Sequence, residues 1–526
     1  MRQKEEPMQI QNPVITGFNP DPSLLRVGND YYIAVSTFEW FPAVGIYHST
    51  DLVNWELADY ALKDDKELDM TGIDAACGVW APNLTFNNGL FYLAYTLVYT
   101  NRKRHKDTYN FVVTAPSIHG PWSKPIALNR SGFDPSVFHD TDGRKYFVNM
   151  TLDYRDGTNR FSGIDVQELD MENGCLLGKP VRVFGGTFRG TTEGPNIFKR
   201  GDWYYLMCAE GDTATDHCAV MARSKSVWGP YEESPFNPVL TAVGNDDCRL
   251  KRAGHAQIID SPDGNWYIAH LCARPLDGNS ILGRETAIQN VEWTEDGWIR
   301  LTDSKNGAPR DFYTVPGEVE IKEKPCGLVD FSKVTEIPLD YMSLRRSAAT
   351  QGVRIEDGVL RITGGCSLFS KYFQGLLARR QQAFDVDFVA AMKFEPRHLN
   401  HLAGIQAYYN YDNYFNLRMT RNDTGKVINV TTLDNTVLSD SEYVTIPEET
   451  EVVYLKFEIR HAEIRFFYSF DNETWNAIGG VGDMRHISDE HIEGNGFTGS
   501  MLGVSCQDIQ GDGVEADFLW IDYKEY

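Results

Sequence analysis

At 526 residues the chain is too long for one ordinary hydrophobic core, so two domains are expected. Its composition, 42% hydrophobic and 24% charged, is that of a soluble globular protein. A formal charge of −24, from 50 basic against 74 acidic residues, argues against nucleic acid or an anionic membrane as partner and is compatible with a neutral sugar. The first residues, Met1-Arg2-Gln3-Lys4-Glu5-Glu6-Pro7, lack the apolar stretch of a signal peptide. The sequence as it stands therefore predicts a cytoplasmic protein, or a periplasmic or secreted one whose leader has been removed. No run of about 18 apolar residues predicts a membrane helix. Nine scattered cysteines without a CxxC pair read as reduced thiols. There is no HExxH, no phosphate loop and no GxSxG elbow.

From the N-terminus, Asn19-Pro20-Asp21-Pro22-Ser23 opens a phrase that returns four times. Its echoes are Ala81-Pro82-Asn83-Leu84, Asp134-Pro135-Ser136-Val137, Gly194-Pro195-Asn196-Ile197 and His255-Ala256-Gln257-Ile258. Taking Asp21, Ala81, Asp134, Gly194 and His255 as equivalent gives intervals of 60, 53, 60 and 61 residues. Each copy leads through a turn into an aromatic-rich run, as in Gly28-Asn29-Asp30-Tyr31-Tyr32-Ile33 and Asp263-Gly264-Asn265-Trp266-Tyr267-Ile268. A β-rich repeat of this size predicts a five-bladed β-propeller over residues 12–310, since one blade cannot bury its faces without neighbours. A charged, Gly- and Pro-containing linker follows from about Ser304 to Gly327. Residues 328–526 lose the repeat but keep strand alternation, as in Val453-Tyr454-Leu455-Lys456-Phe457-Glu458-Ile459, and predict a jelly-roll-like β-sandwich. The expected fold class is all-β, with no helix longer than a turn or two.

In a propeller, equivalent positions of the inner strands converge on one axis. Asp21, Asp134 and Glu193, which precedes Gly194, would then meet in one funnel. Splitting an acetal requires an acid for the leaving oxygen and a second carboxylate to activate water or attack carbon. Asp21 and Glu193 are the natural pair, with Asp134 orienting them and raising the acid's pKa by like-charge repulsion. An aspartate beside proline also commonly closes a turn, but that reading does not place three carboxyls at equivalent axial positions. Arg284 could bridge carboxylates and sugar hydroxyls, or simply pair with a nearby acid. His255 could ligate a metal or water, or be a hydrogen-bonded core histidine. Trp80, Phe38 and Trp40 are candidate sugar-stacking walls, or packing. No cofactor is needed for such chemistry. A structural Ca²⁺ is expected in the second domain, from Asp330 and Asp517 as hard oxygen donors, unless these only form turns. The partner expected is a small oligosaccharide; oligomeric state is left open, and a homo-oligomer is compatible.

Taken together, Gly17-Phe18-Asn19-Pro20-Asp21-Pro22-Ser23, Ser36-Thr37-Phe38-Glu39-Trp40-Phe41-Pro42, Val79-Trp80-Ala81-Pro82, Gly132-Phe133-Asp134-Pro135-Ser136, Thr192-Glu193-Gly194-Pro195 and Gly283-Arg284-Glu285-Thr286-Ala287-Ile288-Gln289 resemble glycoside hydrolase family 43. They are most similar to its two-domain β-xylosidases and α-L-arabinofuranosidases, over nearly the whole chain. The resemblance implies Asp21 as general base, Glu193 as general acid, Asp134 as the modulating aspartate and an inverting, exo-acting hydrolysis. It also implies that Arg284 contacts the terminal sugar, Trp80 and Phe38 wall the pocket, and His255 sits at the base of the axis, where some members hold calcium. Gly494-Asn495-Gly496-Phe497-Thr498-Gly499 resembles the loop whose phenylalanine closes that pocket. Two departures concern the leaving-group side: the loop after His217, and Asn149-Met150-Thr151-Leu152-Asp153, where relatives often carry Trp and Leu152 would leave a smaller wall. Of the rivals, the five-bladed fructan and sucrose hydrolases need Asn-Asp-Pro-Asn-Gly and Arg-Asp-Pro motifs that this chain lacks. A catalytically dead sugar-binding propeller is disfavoured by retention of all three carboxyls.

Overall fold

A computed structural model describes residues 7–102, 105–322, 327–494 and 496–526. Five antiparallel sheets, four of four strands and the fourth blade of five, form the propeller, each in sequence order. Their innermost strands are Ser23–Val27, Gly78–Asn87, Ser136–His139, Glu193–Arg200 and Lys251–Asp260. The aromatic-rich runs seen in the sequence are the second strand of each blade, Asp30–Val35, Leu90–Arg102, Lys145–Leu152, Trp203–Glu210 and Trp266–Ala273. Their apolar side chains fill the spaces between neighbouring blades, and that need for a neighbour is why the repeat closes into a ring.

All five positions aligned in the sequence share one backbone state. Asp21, Ala81, Asp134, Gly194 and His255 have φ of 57°, 41°, 52°, 57° and 46°. For four non-glycine residues this is a strained conformation, of order 1–3 kcal/mol each. The register breaks beside three of them, between Trp80 and Asn83, Glu193 and Asn196, and Gly254 and Ala256. Such bulges bend a strand and re-aim its side chains; here they accompany the turn toward the axis in the second, fourth and fifth blades.

The ring closes without a shared blade. Ser23 Oγ donates to Gln257 Oε1 (3.0 Å), and Arg26 pairs with Asp260 (2.8 Å) between the first and fifth blades. Asn12 Nδ2 donates to the Ile288 carbonyl (2.7 Å). The propeller's strands reach beyond the expected 12–310: Met8–Gln11 pairs with Phe312–Val315, a segment read as linker in the sequence.

The second domain is a sandwich of two antiparallel sheets, one around Val386–Phe394 and Glu515–Glu525, the other around His401–Asn410 and Met501–Asp508. Alternation along Val453–Arg460 is complete: Val453, Leu455, Phe457 and Ile459 are buried and face the core between the sheets, and the residues between them are partly exposed. Trp40–Phe41 of the propeller adds a strand to the edge of the second sheet, pairing with Ser343 and Leu344. Trp40 is therefore not a pocket wall. It is fully buried at the domain junction with its ring edge-on to Tyr408, 6.0 Å between centroids. Among the described residues the one helical element is the 3₁₀ turn Met484–Ile487, and no helix is long and apolar enough to cross a membrane. The eight described cysteines are unpaired.

Candidate active site

A cavity of about 150 Å³ opens at the axis. Its lining includes the eight catalytic and sugar-contacting residues expected from the sequence: Asp21, Asp134, Glu193, Phe38, Trp80, His255, Arg284 and Phe497.

Asp21 is held as an anion. Ser36 Oγ donates to its Oδ2 (2.6 Å), and Arg284 Nη1 donates to Oδ1 (2.9 Å). The Ala81 N–H, at the equivalent bulge of the second blade, donates to Ser36 Oγ (2.7 Å), which fixes the hydroxyl for this task. His255 Nδ1 lies 3.6 Å from Oδ1. Burial alone would raise the Asp21 pKa, but Arg284, His255 and the Ser36 hydrogen bond outweigh it and hold the carboxyl below its usual range.

Glu193 has the opposite environment. Among the described residues no hydrogen bond engages its carboxyl, and burial, with the Asp21 charge adding to it against Lys106, pushes its pKa up to about 7. Asp134 accepts the Gly194 N–H (2.9 Å), a link from the third blade to the bulge of the fourth. Burial and then the Glu193 and Asp21 charges push Asp134 to about 8, against the opposing pull of His255. Burial is the first cause of the Glu193 shift and the Asp21 charge adds to it, while Asp134 and Glu193 repel one another as neighbouring carboxyls. Gly194 is required between them: it has a positive φ, and a Cβ there would stand 3.2 Å from the His255 ring.

Arg284 joins the two domains at the pocket. Its Nη2 donates to the Phe497 carbonyl (3.2 Å), and its guanidinium lies beside the stacked Phe38 and Phe497 rings, 5.4 and 5.5 Å from their centroids. Gly283 makes this approach feasible, since a Cβ there would collide with the Thr498 carbonyl. Phe497 stacks on Phe38 (6.0 Å) and meets Trp80 edge-on (5.6 Å). The wall continues from Trp80 through Phe133 to Phe161 at 5.7 and 6.0 Å.

Several lining residues escaped the sequence reading: Lys106, Phe133, Arg160, Phe161, Asp212 and Thr213. Phe133 stands beside Asp134 in the motif and was within reach. Lys106 lies in the basic run Asn101–Lys106, which reads as a solvated edge. The fold instead sets its Nζ over Trp80 (4.9 Å) and Phe133 (5.6 Å), and burial, reinforced by Arg160, brings its pKa down to about 8. Leu152 is not a pocket wall. It is buried in the propeller core, while its cross-strand partner Phe161 faces the cavity.

Asp330 and Asp517 are not brought to a common site. Asp330 is bound by Ser332 and Lys333 (2.7 and 2.9 Å), and Asp517 by the fork of Arg361 (2.7 and 3.0 Å). Neighbouring cations and a hydroxyl already take the charge that a metal would. At the axis, the groups facing His255 are Asp21, Asp134, His217 and Arg284. With a guanidinium already on Asp21, that set does not form the oxygen-rich cage of Ca²⁺.

Comparison with known proteins agrees with this geometry. Residues 10–299 match the model of glycosyl hydrolases family 43, and residues 329–524 match the β-xylosidase C-terminal concanavalin A-like domain. The chain is 41% identical to a β-xylosidase of Bacillus subtilis, over 98% of this chain and 100% of that one. It is likewise 41% identical to xylosidase/arabinosidase 43B of Humicola insolens, over 98% of each. A solved xylan β-1,4-xylosidase from Bacillus halodurans superimposes with a TM-score of 0.95 at 41% identity, covering 98% of this chain and 100% of that structure. With matched models over both domains and relatives of this identity along its whole length, the chain belongs to glycosyl hydrolase family 43.

Proposed function

We propose that the protein is an exo-acting, inverting glycoside hydrolase that releases one terminal pentose from hemicellulose-derived oligosaccharides, with β-D-xylose favoured and α-L-arabinofuranose second. The observation that carries this reading is the divergence of two carboxyls in one cavity: Asp21 below its usual range, Glu193 raised to about 7. At neutral pH Asp21 accepts a proton from water as the water oxygen attacks the anomeric carbon. The bond to the leaving oxygen breaks as Glu193 delivers its proton to that oxygen, and the product leaves with inverted configuration. The reaction is complete with these two groups and uses no cofactor.

The aromatic enclosure supports removal of a single sugar unit. Phe38, Trp80 and Phe497 offer apolar faces for a pyranose or furanose ring, and Phe497 covers the closed end from the second domain. Arg284 spends Nη1 on Asp21 and Nη2 on Phe497, and among the described residues its buried Nε has no partner, which leaves a donor for a sugar hydroxyl. Relatives named for xylosidase and for combined xylosidase/arabinosidase activity support the order of the two sugars. The test compares initial rates on aryl β-D-xyloside and aryl α-L-arabinofuranoside and follows the first-formed anomer by NMR. Higher kcat/KM on the xyloside with an inverted product is expected. A retained anomer overturns the mechanism, a faster arabinofuranoside reverses the substrate order, and inactivity on both revives the sugar-binding rival.

A further inference from the structure

Far along the chain from the catalytic carboxyls, the sandwich gathers Asp434, His486 and His491, with one ligand atom from each lying within 4.8 Å of the others. His491 Nε2 is 2.7 Å from Asp434 Oδ1, and His486 Nδ1 is 3.2 Å from Oδ2. The two imidazoles stack 4.5 Å apart at 15°. All three side chains are about a third exposed, so an ion has an entry path and solvent can complete its shell. We propose that these three residues form a binding site for a borderline divalent ion of the Zn²⁺ class, which fastens the segment carrying Phe497 to the rest of the sandwich.

The donor set decides the class of ion. Two neutral imidazoles and one carboxylate suit Zn²⁺, whereas Ca²⁺ and Mg²⁺ take oxygen. Tetrahedral bonds of about 2.0–2.1 Å give ligand–ligand edges of about 3.3 Å. The pairs stand at 2.7 and 3.2 Å on separate oxygens of Asp434 and the third edge lies within 4.8 Å, so the stacked rings turn to bring both nitrogens onto one ion. The backbone around the ligands is fixed independently of them. Asn413 Nδ2 donates to the His486 carbonyl (3.2 Å), and Asn435 Nδ2 donates to that of His491 (3.2 Å). The Glu493 N–H closes the turn onto Asn435 Oδ1 (2.7 Å). Held this way, the histidines lose little freedom on coordination.

The consequence follows from the segment's course. His486 lies in the 3₁₀ turn Met484–Ile487, and the chain passes through Asp489, Glu490 and His491 before reaching Phe497. Asp489 is buried, paired with Arg252 of the fifth blade (2.7 Å) and hydrogen-bonded to the Tyr409 hydroxyl, which also accepts the Thr498 N–H (3.3 Å). Glu490 pairs with Arg252 and accepts the Ser280 N–H (2.7 Å). The ion would pin the outer end of a strap whose middle is bound to the propeller and whose far end covers the pocket.

The test uses untagged, chelator-treated full-length protein titrated calorimetrically with ZnCl₂, alongside His491→Ala and Asp434→Asn. Stoichiometric binding in the wild type, weakened at least tenfold in both variants, is expected. Zn²⁺ should raise the melting midpoint of the wild type by several degrees and leave the variants unmoved, and CaCl₂ should not substitute. Co²⁺ added to the wild type should give visible absorption bands typical of low-coordinate imidazole ligation, a readout that stands even if a variant misfolds. Absence of stoichiometric binding, binding undiminished in the variants, or equal stabilisation by Ca²⁺ would each overturn the proposal.

Discussion

Replacing Glu193 by glutamine should slow hydrolysis of natural xylosides by roughly 10²–10⁴-fold yet make the fold more stable, and only above a definite pH. The carboxyl is buried where its pKa stands at about 7 against an ordinary 4.5. In that window the folded state binds more protons than the unfolded chain, so its stability falls as pH rises, and above pH 7 the full cost is present. At about 1.4 kcal/mol for each tenfold change in proton affinity, that cost is about 3 kcal/mol. Glutamine keeps the shape and never ionises. It also removes a charge that raises Asp134. At ~2 °C per kcal/mol for a domain near 250 residues, the variant should melt on the order of 6 °C above the wild type at pH 8. The gap should close toward pH 4.5. Scanning fluorimetry at a series of pH values reads it directly. A gain that is equal at pH 5 and pH 8, or a loss at pH 8, would refute the assignment of a raised, unsatisfied carboxyl to Glu193.

The same two carboxyls should shape the pH profile of kcat/KM: an alkaline limb near pH 7 as Glu193 loses its proton, and an acid limb below the ordinary carboxylate range as Asp21 gains one. An acid limb at pH 5 or above would contradict the Arg284 and Ser36 contacts as the cause. Glu193→Ala should lose roughly 10²–10⁴-fold on xylosides with poor leaving groups and far less on activated aryl xylosides, whereas Asp21→Ala should be poor on both unless azide replaces water. Deleting residues 328–526 should leave the propeller insoluble or inactive, because Trp40–Phe41 would lose its sheet partner and Arg284 its contact to Phe497; an active fragment in solution counts against a shared site. Leu152→Trp should cost about 1–3 kcal/mol of stability by overpacking and leave the xylobiose-to-arabinoside ratio of kcat/KM unchanged. Phe161→Ala should shift that ratio instead, and a shift with Leu152→Trp would restore Leu152 as a pocket wall.

What the sequence disclosed, it disclosed through repetition. The five aligned positions carry the same left-handed kink, and recognising their equivalence was enough to bring Asp21, Asp134 and Glu193 to one axis. The kink itself was invisible, because Asp, Ala and His occupy it, at a cost in strain, where the surrounding fold compels it. Phe497 was legible only as part of a motif, since nothing local ties a loop 213 residues from Arg284 to its guanidinium. Trp40 and Leu152 failed for a different reason. An aromatic near a catalytic motif, or an aliphatic residue in place of one, has no direction until the strand's register is known. A shift of one residue sends a side chain to the opposite face, and here Phe161, paired with Leu152 beside a register shift, lines the cavity while Trp40 pairs into the domain junction. Lys106 marks the limit of composition as a guide. In a run of basic residues the prior favours solvent, but the long second blade carries this ammonium over Trp80 and Phe133, facing Glu193. There its charge opposes the burial of the general acid, and the balance between the two sets how readily the proton is given up.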